Sequence, residues 1–317
     1  MYYSLDISPV EISLIVLALA LILDIVYSYH RGILYLIHPV HTCYVMGVKL
    51  AKLCQTKIYG CILWTICIII HVVPVVLVLK YIYEFQLILY IILATWILKC
   101  SFSIRLLIDI AWNAYECMVR GNWDEARYWA QQLVRRDVYR LSEPYVISAV
   151  IESLAESLVD GIVSPLTYYP LLGVLGPYLQ RLINTLDSAI GYKISEYREV
   201  GWFSARADTV INYVPARLTA LYIVIAALVL GYDWRNSLRI YLRDRGRTES
   251  INAGHPMAAM AGALCVKLTK PRHYELGDEV KLLEPSDIVR AIRIVEIVTA
   301  LHLTLVTLLV VIRAISP

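Results

Sequence analysis

The stretch Ile58-Tyr-Gly-Cys-Ile-Leu-Trp-Thr-Ile-Cys-Ile-Ile-Ile-His-Val-Val-Pro-Val-Val-Leu-Val-Leu79 contains no Asp, Glu, Lys or Arg. A bilayer's hydrocarbon core takes about 20 apolar residues to cross as helix, so this run predicts a membrane span. Similar runs occupy residues 12–27, 81–98 and 294–312, with a shorter one at 218–230. The whole 317-residue chain is 59% hydrophobic and only 17% charged, with mean hydropathy +0.62. A soluble domain is roughly 45–50% apolar. The reading is an all-α, polytopic helical membrane protein. With no repeat or low-complexity linker to divide it, residues 1–317 are taken as one domain.

Charge placement predicts the topology. Asp6 and Glu11 precede the first apolar run with no Lys or Arg, unlike the basic start of a cleavable signal peptide, so a retained first helix is expected. The following loop carries Arg31, Lys49, Lys52 and Lys57, which places it in the cytoplasm. The next two runs then form a hairpin whose external turn holds little but Lys80 and Glu84, and residues 101–145 return to the cytoplasmic side. There Asn122-Trp-Asp-Glu125 resembles a capping box, and apolar positions 126, 130, 133, 134 and 138 predict an amphipathic helix. Its Arg135-Arg136-Asp137 reads as a solvated face. Residues 146–180 are interrupted by Gly161, Pro165, Pro170, Gly173, Gly176 and Pro177, which favours broken or re-entrant helices there, at 218–230, or at both.

Composition also excludes. A net charge of +3 is too small, and its cations too scattered, for a nucleic-acid-binding surface. Seven cysteines with no Cys-x-x-Cys and no zinc-like spacing to His give neither a disulfide framework nor a structural zinc motif.

Against this apolar background the polar residues of 152–217 stand out, because ionisable groups near hydrocarbon mark pathways or sites. Glu152, Glu156 and Asp160 are spaced to lie along one helix face. Such a stripe suits Mg²⁺ held with substrate phosphates, and it equally suits an ordinary polar helix face. Asn184-Thr-Leu-Asp187 through Gly191-Tyr-Lys193 reads as a loop able to cradle phosphate, or as a plain surface loop. Between Gly201 and Arg217, Asp208 and Asn212 are i, i+4 partners, and Arg206 and Arg217 offer fork-shaped donors for phosphate or carboxylate. Arg217 also precedes an apolar run, where snorkelling to headgroups explains it without chemistry. Asn252-Ala-Gly254 is a candidate ligand-binding turn before a run of small residues suited to close helix packing. His38 and His41 are candidate bases that also fit a structural role.

Asp24, His38-Pro39-Val40, Trp123-Asp124 with Ala126-Arg127, Glu152 to Pro165, Asn184 to Lys193, Gly201 to Leu221, and Asn252-Ala-Gly with Ala258 to Leu264 together resemble the CbiB/CobD family, the adenosylcobinamide-phosphate synthases of cobalamin biosynthesis. The resemblance covers about residues 20–275. It implies a multi-pass enzyme of the cytoplasmic membrane that joins adenosylcobyric acid to (R)-1-amino-2-propanol or its O-phosphate. ATP and Mg²⁺ would drive this amide ligation from the cytoplasmic side, with other membrane-bound cobalamin-assembly enzymes as candidate partners. On that reading Glu152, Glu156, Asp160 and Asp187 hold Mg²⁺ and orient nucleotide. Lys193, Arg206 and Arg217 neutralise phosphate, Asp208 deprotonates the amine, and Asn184, Asn212 and Asn252 position substrate.

The chain departs from the family pattern at Ser157, where the family has Asn, and at His255-Pro256-Met257, where it has Trp-Pro-Glu. It also lacks the Gly-Asp-Pro that follows Asp24. Residues alone leave three alternatives. One is an ion-coupled carrier with a carboxylate-lined midplane site. The others are a Mg²⁺-dependent lipid-diphosphate transferase and a scaffold without catalysis.

Overall fold

The computed structural model describes residues 8–192 and 196–315. The fold is helical, and its one sheet among these residues pairs Leu268–Lys270 antiparallel with Tyr274–Leu276. Pro9–Val26, Lys57–Phe85 and Ser286–Arg313 are long and apolar enough to cross a membrane. The chain is a helical membrane protein.

The hairpin expectation needs one correction. Lys57–Phe85 is a single helix of 29 residues that passes through Pro74 and Lys80. The chain breaks at Gln86, whose extended backbone separates this helix from Leu87–Lys99.

Two compact units are built from interleaved segments. The first contains the chain up to Ser103, Pro165–Val210 and the chain from Thr304. Its core joins Pro39–Ala51, Lys57–Phe85 and Leu175–Ile190 through Cys43, Leu63, Cys67, Leu182, Leu186 and Ile190. In the same unit, Pro9–Val26 packs on Leu87–Lys99. There Lys99 Nζ donates to Asp24 Oδ1 at 2.8 Å, with both side chains 2% exposed. Two isolated charges in apolar runs are thereby neutralised as a pair.

The second unit contains Ile104–Ser164 and Ile211–Leu303. Its centre is Gly254–Leu264, all eleven residues of which are buried. Small side chains let Trp234–Asp244 and Tyr213–Val229 approach closely. A Cβ at Gly262 would stand 2.6 Å from the Asn236 carbonyl oxygen. The basic stretch 235–293 directs several cations onto two buried aspartates. Asp244 accepts from Arg243, Arg247 and the Gly277 N–H, and Asp287 from Lys281 and Arg290.

The expected amphipathic helix forms as Trp123–Leu133, shorter than the apolar periodicity suggests. Only half of the expected capping box forms: Glu125 N–H donates to Asn122 Oδ1, but Glu125 Oε2 accepts from the Asn122 side-chain Nδ2, while the Asn122 backbone N–H donates to Cys117 O. The broken segment begins with an unbroken helix, Glu143–Leu158. A π-turn follows at Val159–Val163, and short helices lead to Gly173, whose φ of +58° ends the run. The 218–230 run belongs to Tyr213–Val229, separated at Asn212 from the helix Trp202–Ile211.

Candidate functional site

Glu152 sits on the Glu143–Leu158 helix with its side chain 6% exposed. Oε1 accepts from Arg136 Nη2 at 2.9 Å and from Ser148 Oγ at 2.6 Å, while Oε2 accepts from Tyr274 OH at 2.7 Å. Ser148 Oγ in turn accepts the Thr269 N–H at 2.8 Å, which ties the carboxylate to the small sheet. Burial, then the Glu152 carboxylate, push the Tyr274 phenol well above its ordinary range, so it stays a proton donor. Arg136 is therefore no solvated face. Its chain segment leaves the helix after Leu133 and turns the guanidinium inward to meet a buried anion.

The three-carboxylate stripe is only partly realised. Glu152 is engaged by three donors, Glu156 is exposed, and Asp160 is half-buried within the π-turn. A π-turn is wider than an α-turn and moves Asp160 off the α-helical register of the other two. Such turns recur at functional sites. Hard oxygen donors fit Mg²⁺, and Glu156 and Asp160 carry donors of that kind.

Elsewhere in the second unit, Arg217 Nη1 donates to Tyr213 O at 2.6 Å and to Asn252 Oδ1 at 3.3 Å, and its guanidinium lies over the Tyr213 ring. This contact orients Arg217 toward the Asn252 turn rather than leaving it only to snorkel. His255, where the family pattern has Trp, has Nδ1 3.2 Å from Tyr241 OH. Burial lowers its pKa to about 4, with help from Arg217 and Arg245, so the imidazole is neutral. Asn212 is buried at the break between two helices.

In the first unit, Asn184 and Asp187 lie on the helix Leu175–Ile190, which overturns the loop reading. Leu182, Ile183, Leu186, Ala189 and Ile190 bury its other face, and this apolar period outweighs the polar, Gly-terminated look of the sequence. Asn184 Nδ2 donates to Asp208 Oδ1 at 3.1 Å, while Arg181 Nη1 donates to Asn184 Oδ1 at 3.4 Å. An arginine–amide–carboxylate chain thus holds Asp208, half-buried on Trp202–Ile211. Arg206 is exposed on the same helix. At the helix end the Asp187 carboxylate lies against Gly191, where a Cβ would stand 1.9 Å from Oδ1. Lys193 lies outside the described residues.

Sequence alone gives Tyr274, Ser148 and Arg181 no role, and it reads Arg136 as part of a solvated face. Ser148 lies one helical turn before Glu152, an i, i+4 spacing that the sequence does carry. Tyr274 is brought to Glu152 by packing alone.

Buried ion pairs and carboxylates held by amide and guanidinium groups, set among membrane-crossing helices, define a polytopic membrane protein with polar centres. Family comparison makes this specific. The profile described as CobD/Cbib protein matches residues 17–304, and the chain belongs to that family. Among similar proteins are the "Probable cobalamin biosynthesis protein CobD" of Aeropyrum pernix, 43% identical over 81% of this chain and 81% of its own. Another is the protein of the same name from Thermoplasma acidophilum, 38% identical over 89% and 92%. The "Cobalamin biosynthesis protein CobD" of Dehalococcoides mccartyi is 38% identical over 73% and 75%. No solved structure matches the chain.

Proposed function

We propose that this chain is a cobalamin-biosynthesis enzyme of the cytoplasmic membrane. In this reading it joins (R)-1-amino-2-propanol, or its O-phosphate, to a propionate carboxylate of adenosylcobyric acid through an amide bond. The family match across residues 17–304, with relatives named for cobalamin biosynthesis, is the observation that carries this reading.

A carboxylate does not condense with an amine until it is activated; MgATP would supply a phosphoryl group to it with release of ADP, and the amine would displace that group as inorganic phosphate. Glu156 and Asp160 would hold Mg²⁺, and Asp187 would assist in orienting nucleotide. Arg206, Arg217 and Lys193 would meet phosphate oxygens. Asp208, held by Asn184, would take the proton from the attacking ammonium, and Asn212 and Asn252 would position substrate. Glu152 takes a different role from the sequence expectation: it anchors Arg136, Ser148 and Tyr274 around the helix that carries Glu156.

The full chain, purified in detergent, is incubated with adenosylcobyric acid, either amine and MgATP, and products are read by mass spectrometry. Appearance of the corrinoid amide with equimolar ADP supports the reading. Absence of both overturns it, and corrinoid uptake into vesicles without amide formation would establish a carrier instead.

A further inference from the structure

Three segments of the first unit bring His30, His38 and Cys100 together, with their ligand atoms all within 4.8 Å of one another. His30 lies in the loop after Pro9–Val26, His38 caps the start of Pro39–Ala51, and Cys100 caps the end of Leu87–Lys99. Sequence spacing conceals this group, because the fold rather than a local motif assembles it. His30 Nε2 is buried with no hydrogen-bond partner among the described residues. The His30 ring is held by Tyr27, His38 and Trp96 at centroid distances of 5.2, 4.5 and 5.2 Å. Cys100 is 4% exposed.

We propose that His30, His38 and Cys100 form a metal site for a borderline-soft divalent ion of the zinc class, with a fourth position open to water or another ligand. Two imidazoles and a thiolate are the donor types that zinc selects, whereas Mg²⁺ prefers oxygen. Tetrahedral zinc with these ligands sets donor atoms about 3.3–3.6 Å apart, so side-chain rotation of roughly an ångström closes the group. His38 Nδ1 accepts the Val40 N–H at 3.2 Å, and coordination by either ring nitrogen gives up that bond. An N-cap is worth about 5- to 30-fold in a folding equilibrium, far less than a structural zinc contributes.

The charge added is limited. Lys99 next to Cys100 is paired with Asp24, and Arg181 donates to Asn184. On binding, the Cys100 thiol loses its proton to solvent, so the site gains one positive charge rather than two. The bound ion gives His30 Nε2 a partner. This site uses none of the carboxylates assigned to MgATP, and it stands whether or not the ligase reading holds.

The test uses the full chain made in a host without corrinoids, so that cobalt in a corrin does not interfere. Elemental analysis after Zn²⁺ loading and gel filtration is expected to find one zinc per chain. Co²⁺ substitution is expected to give a thiolate-to-cobalt band in the near ultraviolet, lost in Cys100→Ser. His30→Ala is expected to weaken Zn²⁺ at least ~10-fold, since even loss of a supporting partner has that effect, while His41→Ala leaves binding unchanged. Because Cys100→Ser risks misfolding, alkylation at Cys100 is also followed in the unmodified sequence by peptide mass spectrometry. Zinc is expected to protect it, and a chelator to restore labelling. Substoichiometric zinc, or Cys100 labelling indifferent to zinc, overturns the proposal.

Discussion

Arg136 Nη2 and Glu152 Oε1 meet at 2.9 Å in a setting where the carboxylate is almost wholly buried. Removing one partner of such a pair strands the other charge, at a cost of about 3–5 kcal/mol. Arg136→Ala is therefore expected to lower the thermal unfolding temperature in detergent strongly. The double variant Arg136→Met, Glu152→Gln is expected to be less destabilised than the sum of its single changes. An additive result would show that the two residues are not coupled.

Protonation of His255 provides a pH dependence. Its folded-state pKa of about 4 lies below the ordinary 6.5, so the unfolded chain binds the proton more readily. The sign follows: stability from the neutral imidazole is fully present above pH 6.5 and is lost as pH falls toward 4. The effect is roughly 2–3 kcal/mol. Unfolding temperatures measured across pH 4–7 should fall more steeply for the unmodified chain than for His255→Gln. Parallel curves would refute the assignment.

Asp208→Asn keeps the shape of the side chain and removes its basicity. If Asp208 accepts the amine proton, amide formation falls by about 10²–10⁴-fold with unfolding temperature unchanged. Asn184→Ala, which releases Asp208 Oδ1 from its donor, is expected to have a smaller effect of about tenfold. Wild-type rates for Asp208→Asn across the pH range would exclude it as the base.

Gly262→Ala tests the close packing at the centre of the second unit. The added methyl would meet the Asn236 carbonyl oxygen at 2.6 Å and Ser237 Cα at 2.7 Å, both backbone atoms with little freedom to move. Overpacking of this kind costs about 1–3 kcal/mol or more. Reduced yield of monodisperse protein and a lower unfolding temperature are expected; an unchanged temperature would show that the two helices separate at no cost.

Periodicity and composition made the membrane helices legible, because apolar runs long enough to span carry their own signal. The same signal misplaced the hairpin break, since Lys80 looks like a turn only when the continuing helix through Phe85 is unknown. The stretch around Asn184 and Asp187 reads as chemistry-bearing loop, because its amide, Gly and Lys outweigh the buried Leu182 and Leu186 beside them. Arg136 looked solvated for a physical reason: a cation after an amphipathic helix usually is. Its partner lies sixteen residues on. Tyr274 and Glu152 are 122 residues apart, and no local pattern announces a contact made by folding.

The Asp24–Lys99 pair also bears on biogenesis. Its members are separated by 75 residues of chain. At about 5–20 residues per second of synthesis, the first helix waits roughly 4–15 s before its counter-charge is made. During that interval Asp24, near the end of an apolar helix, has no Lys99 to pair with. The buried pair therefore forms only after Lys99 has been made, and truncation before Lys99 leaves Asp24 without that cation.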